Sequence, residues 1–123
     1  MLGSQKIMAF VGTCDPARAK KFYRDILGLR LVSEDPFALA FDVRGTMLRV
    51  SIVPKLAKAK YTVLGWLVKD VRATAKGLQT AGVKLERFKG LPQDELGIWA
   101  APSGARVAWF KDPDGNILSV TQF

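Results

Sequence analysis

The sequence predicts an α+β fold built from two tandem βαβββ modules, and three observations carry that prediction. First, the run from Asp15 to Gly28 is matched by the run from Asp70 to Gly82, fourteen and thirteen residues long. Each opens on an N-capping aspartate, repeats its apolar residues at helical spacing and stops at glycine. Second, an apolar strand-like segment precedes each run and short extended segments follow it. Third, turn residues punctuate those segments at Arg44-Gly45, Pro102-Ser103-Gly104 and Asp112-Pro113-Asp114-Gly115. Two such units fill 123 residues and imply twisted, mostly antiparallel sheets with one helix per module.

Taken in order, Lys6–Thr13 reads as an apolar strand. Asp15 then caps a helix whose first turn accepts Pro16, because the missing N–H would be unpaired there anyway. Ala19, Phe22, Tyr23, Ile26 and Leu27 form the helical stripe. Leu29–Ser33 reads as a strand, and Phe37–Val43 with Thr46–Val53 as a hairpin. Module one spans about residues 5–53, a basic linker covers 54–61, and module two spans about 62–123. In the second module Thr62–Val68 is the strand before the helix, and Val71, Ala75, Leu78 and Ala81 make the helical stripe. Val83–Phe88, Ile98–Ala101, Ala105–Lys111 and Asn116–Phe123 are the extended segments after it.

Composition narrows the functional classes. Nineteen Lys and Arg against eleven Asp and Glu leave a net charge of +8, a field that favours anionic partners. A single cysteine suits a reducing compartment, no apolar run reaches the ~20 residues of a membrane span, and MLGSQKI lacks a secretory pattern. A cytoplasmic location without membrane attachment is the expectation. The chain has no histidine. That rules out a Ser–His or Cys–His nucleophilic pair and removes the usual proton-transfer group near neutral pH.

DPARAKKFYRDILGL, the repeat itself and the closing KDPDGNILSV together resemble the vicinal oxygen chelate superfamily, which includes glyoxalases, extradiol dioxygenases and bleomycin-resistance proteins. The resemblance covers nearly the whole chain. It implies that each sheet curls into a cup with its helix on the convex side, and that the protein is a homodimer. It also implies a metal site on the first and last strands of each module. The corresponding positions here are Met8, seven residues before Asp15, and Val63, seven before Asp70. Aligning Gly45 with Gly115 adds Arg49 and Ser119. A thioether, an isopropyl group, a guanidinium and a hydroxyl do not make a site for zinc, iron or manganese. The expectation is therefore no metal and no cofactor, and no catalytic residue can be named.

Strand parity assigns the faces independently. Leu48, Val50, Ile52, Leu118 and Val120 belong under the helices. Met8, Phe10, Met47, Arg49 and Ser51 then face the cup from module one, with Val63, Gly65, Ser119 and Thr121 from module two. The glycines at 12 and 65 are expected to leave room for a ligand. Arg49 needs a counter-charge. Either Asp42 on the neighbouring strand supplies it, or a ligand carboxylate or phosphate does. Trp99, Trp109 and Phe10 either stack on a planar ligand or pack in the core. Glu34, Asp35, Asp94 and Glu95 lie in loops that rim the cup.

Three functions stay open. The first is metal-free binding or sequestration of an anionic or aromatic small molecule. The second is a divergent metal-independent lyase or isomerase. The third is a basic nucleic-acid or protein interaction module using Arg18, Lys20, Lys21 and Arg24 on the first helix with Lys55, Lys58 and Lys60 in the linker. No nucleic-acid motif accompanies that last set, which argues against it.

Overall fold

Both helices start where an aspartate side chain satisfies a first-turn N–H, and each organises one four-stranded sheet. The computed structural model describes residues 1–123 in two units, Met1–Lys58 and Ala59–Phe123.

The first unit contains β1 (Met8–Thr13), α1 (Pro16–Lys20), β2 (Arg30–Glu34), β3 (Ala38–Val43) and β4 (Thr46–Ile52). The Asp15 carboxylate accepts from the Arg18 N–H at 3.2 Å, with Pro16 at the first helical position. After Lys20 the helix widens into a π-turn over Lys21–Ile26, so that the Leu27 N–H donates to the Phe22 carbonyl at 2.9 Å. Two consecutive aromatic residues, Phe22 and Tyr23, are both buried there, their rings meeting edge to face at 5.1 Å. Gly28 ends the helix at φ 75°, a conformation glycine adopts without steric penalty.

The sheet order is β1-β4-β3-β2. β1 runs parallel to β4, and the other two pairings are antiparallel. Leu39, Phe41, Leu48 and Val50 turn to the helix side and are buried with Ala19, Phe22 and Tyr23. Each of the larger side chains contributes about 1.5–3 kcal/mol of apolar burial. The β3–β4 turn places Arg44 at φ 49° and Gly45 at φ 88°, the doubly left-handed pattern whose twist suits a two-residue hairpin.

The second unit repeats the order with β5 (Thr62–Leu67), α2 (Val71–Thr80), β6 (Trp99–Ala100), β7 (Arg106–Lys111) and β8 (Ile117–Gln122), arranged β5-β8-β7-β6. Asp70 accepts from the Ala73 N–H at 3.0 Å, and the Gln122 side chain accepts from the Val71 N–H at 2.9 Å. Neither sheet is closed. In the Asp112-to-Asn116 turn, Asp112 accepts from the backbone N–H groups of Asp114 and Asn116.

The segment Val83–Phe88 departs from its expected strand. It contributes one bridge, Leu85 to Phe110, and one bond from the Glu86 N–H to the Trp109 carbonyl at 2.8 Å. The outer edge of β7 is completed in two pieces, this bridge and the two-residue β6. Gln93 joins the pieces: its amide oxygen accepts from the Phe88 N–H, and its amide nitrogen donates to the carbonyls of Glu86 and Gly97 at 3.0 and 2.8 Å. A side chain thus does what a strand's backbone would have done.

Candidate functional site

Pairing register, rather than sequence proximity, collects the site residues. On the first sheet Met8 lies opposite Met47, Phe10 opposite Arg49 and Gly12 opposite Ser51. Asp42, Ala40 and Ala38 of β3 lie opposite Met47, Arg49 and Ser51 in turn. All therefore share the face turned away from α1. On the second sheet Gly65 pairs with Ser119, Leu67 with Thr121 and Thr62 with Ile117, while Val63 falls in the register shift between Thr62 and Leu64 and has no cross-strand partner. The duplication holds from Arg49 opposite Phe10 and Ser119 opposite Gly65 onward, but Met8 pairs with Met47 whereas Val63 is skipped by the register shift in β5.

The two faces differ in what covers them. On the second, Trp109 stands opposite Ser119. Its indole N–H donates to Thr62 Oγ1 at 3.0 Å, so the ring spans β8 from β7 to β5. Trp99 and Phe88 pack beside it at 6.1 and 5.3 Å, and Ser119 is left 7% exposed. The tryptophans thus engage one another and the sheet. On the first face Met8, Phe10, Val32 and Met47 are 42–57% exposed. These side chains form an exposed apolar cluster on the first face.

The glycines do not leave ligand space. A Cβ on Gly12 would lie 2.6 Å from Leu56 Cδ1, and one on Gly65 would lie 2.7 Å from Ser119 Oγ. These glycines accommodate the chain's own side chains.

Arg49 is half-buried, and its side chain makes no ion pair or hydrogen bond within the protein. Asp42 is not its partner: that carboxylate accepts from the Gly45 N–H at 3.2 Å and fastens the hairpin turn. The nearest influence of Arg49 is on Asp35. The N–H groups of Phe37 and Ala38, at 2.7 and 3.0 Å, hold the Asp35 carboxyl below its usual range, and the charge of Arg49 adds to this.

The other carboxylates expected in loops are also engaged, and Glu34 in fact ends β2 opposite Leu39. Glu34 pairs with Lys20 at 3.0 Å. Asp94 and Glu95 both pair with Arg72, and Asp94 also accepts from the N–H groups of Leu96 and Ile98. Glu95 is held low by a backbone hydrogen bond and by Arg72. No group of three or more histidine, cysteine, aspartate or glutamate side chains gathers as a metal donor set. The positions at which the superfamily can hold a metal carry Met8, Arg49, Val63 and Ser119, whose chemistry does not fit one.

A hollow of about 400 Å³ opens at one end of the first face, lined in part by Lys6, Met8, Arg30, Val32, Asp42 and Met47. Arg30 pairs across strands with Asp42, which puts it on the same face as Met47. Sequence reasoning missed Lys6, Arg30 and Val32. Lys6 was legible, since it shares the parity of Met8 and Phe10. A register shift between Leu31 and Ser33 obscured β2. A second hollow, about 480 Å³, lies on the helix side near Pro16 and Leu39. Its lysine and glutamate already neutralise each other.

Two open sheets of identical order, each backed by one helix, define the class: a duplicated βαβββ protein. The chain belongs to the Glyoxalase/Bleomycin resistance protein/Dioxygenase superfamily, whose family model matches residues 6–120. No curated protein matches the sequence. Among solved structures it is similar to a glyoxalase family protein from Enterococcus faecalis, at 19% identity and TM-score 0.76, covering 98% of this chain and 99% of that one. It is also similar to a lactoylglutathione lyase from Agrobacterium tumefaciens, at 19% identity and TM-score 0.75, covering 97% and 93%. A superfamily protein from Alicyclobacillus acidocaldarius follows at 17% identity and TM-score 0.68, covering 98% and 92%. At these identities the likeness shows the fold.

Proposed function

We propose that this protein binds a small anionic molecule with an apolar or aromatic body on the open face of its first sheet, without a metal. The observation that carries the reading is Arg49, a half-buried guanidinium with no partner in the chain set among Phe10, Met8 and Met47. Partial desolvation of an unpaired cation is unfavourable, and the planar fork matches a carboxylate or phosphate. An anionic ligand supplies the missing partner.

The alternatives have less support. An acid–base enzyme needs a carboxylate poised near neutral pH, whereas Asp35 and Glu95 are shifted downwards and Glu34 and Asp94 are tied to cations. Of the four cations on the first helix, Lys20 pairs with Glu34 and Arg24 with Asp25, which leaves Arg18 and Lys21 as a sparse pair for a polyanion and no nucleic-acid motif beside them. No helix is long and apolar enough to cross a membrane.

The test is a thermal-shift screen of aromatic carboxylates and phosphates against the parent and Arg49→Gln. Stabilisation of the parent that is lost in the variant supports the reading. A ligand that stabilises both equally, or no stabilisation by any anion, refutes it.

A further inference from the structure

The first face carries a second set of cations, remote from Arg49. Arg30 pairs with Asp42, which pairs with Met47, while Arg49 pairs with Ala40. Arg30 and Arg49 are thus two strands apart and offset by two residues along β3. With strands about 4.8 Å apart and about 3.3 Å per residue, their backbones are roughly 12 Å apart. Arg30, like Arg49, has no ion pair or side-chain hydrogen bond in the chain, and Lys6 lines the same hollow.

Between these two poles the surface is apolar and low. Ala40 and Met47 form the floor, with Met8 alongside. Lys6, Arg30 and Arg49 outnumber the two carboxylates nearby, Asp42 and the Asp35 that feels the charge of Arg49, and leave the face with a net positive charge. Asp42 is itself directed to the hairpin turn through Gly45.

We infer that the ligand is a dianion, its two charged groups separated by a rigid apolar or aromatic body, with one group on Arg49 and the other on Arg30 and Lys6. This rests on the proposed binding function and adds the substrate class. A monoanion leaves one pole unpaired, and a compact dianion cannot reach both. The spacing therefore selects for length as well as charge.

Titration calorimetry on the full chain tests this with biphenyl dicarboxylate, carrying its acids at opposite ends, and the corresponding biphenyl monocarboxylate. The diacid is expected to bind about tenfold or more tightly than the monoacid, the increment of one additional charge-assisted contact. Arg30→Gln is expected to bring the ratio of the two affinities close to one. Lys6→Gln, which lies outside every strand, lowers the ratio by a smaller factor and covers the case in which the Arg30 variant folds poorly. Equal affinities in the parent, or an unchanged ratio in both variants, overturn the dianion inference. If the monoacid still binds in an Arg49-dependent way, the proposed function survives that result. If neither acid binds, both fall.

Discussion

Arg49 and Ser119 occupy equivalent places in the two modules, yet one is an unpaired cation on an open face and the other a hydroxyl beneath an indole. This asymmetry has a consequence for stability. A half-buried guanidinium without a partner adds nothing to the folded state, so Arg49→Met is expected to melt at or above the parent while losing anion binding. Such a trade between stability and function is common at binding sites. A loss above about 1 kcal/mol in denaturant unfolding would make Arg49 a structural residue instead. Asp35 behaves differently. Hydrogen bonds from Phe37 and Ala38 lower its folded pKa below the unfolded value. Its contribution is therefore complete above the ordinary carboxylate pKa of about 4 and is lost as pH falls through the lowered one. Asp25, held by Arg24, and Glu95 shift the same way. The melting temperature is expected to stay level from neutral pH down to about pH 5 and drop below about pH 4, with a shallower acid limb in Asp35→Asn.

Among the elements, the helices and the β3–β4 hairpin are dictated locally, and the sequence signals were sufficient for them. Asp15, Asp70, Gly28 and the Arg44-Gly45 turn each act over a few residues. Arg44 nonetheless sits at φ 49°, where a β-carbon is unfavourable. Arg44→Asn is expected to stabilise the protein by about 0.5 kcal/mol, since asparagine tolerates that conformation. The outer edge of β7 was not legible, because Gln93 replaces the ladder there and no periodicity announces a side chain standing in for backbone. Removing its three hydrogen bonds in Gln93→Ala should cost about 2–3 kcal/mol, measured by urea unfolding. A loss within the scatter of ordinary surface substitutions would show that β6 and the Leu85 bridge hold without it.

For the whole molecule, the net charge of +8 and the absence of histidine make distinct statements about ligand capture. Anion affinity is expected to weaken as salt rises, because exposed charges are screened within about 10 Å at 0.1 M. It is expected to be level between about pH 6 and 8, because the chain has no histidine, the side chain that ordinarily changes charge in that range. Calorimetry across both series checks the two together. A sharp pH dependence in that window would point to a group outside the face.

The duplicated βαβββ order and the extent of the helices follow from the sequence alone. Capping, turn residues and apolar periodicity operate over distances the chain spells out locally. That Asp42 serves Gly45 rather than Arg49, and that Leu56 and Ser119 fill the space beside Gly12 and Gly65, emerges only once the strands are paired. The same holds for Arg30 and Lys6 sharing a face with Arg49. Those outcomes depend on strand register and on the irregularity in β2, and a shift of one residue there would turn every side chain of the strand to the opposite face.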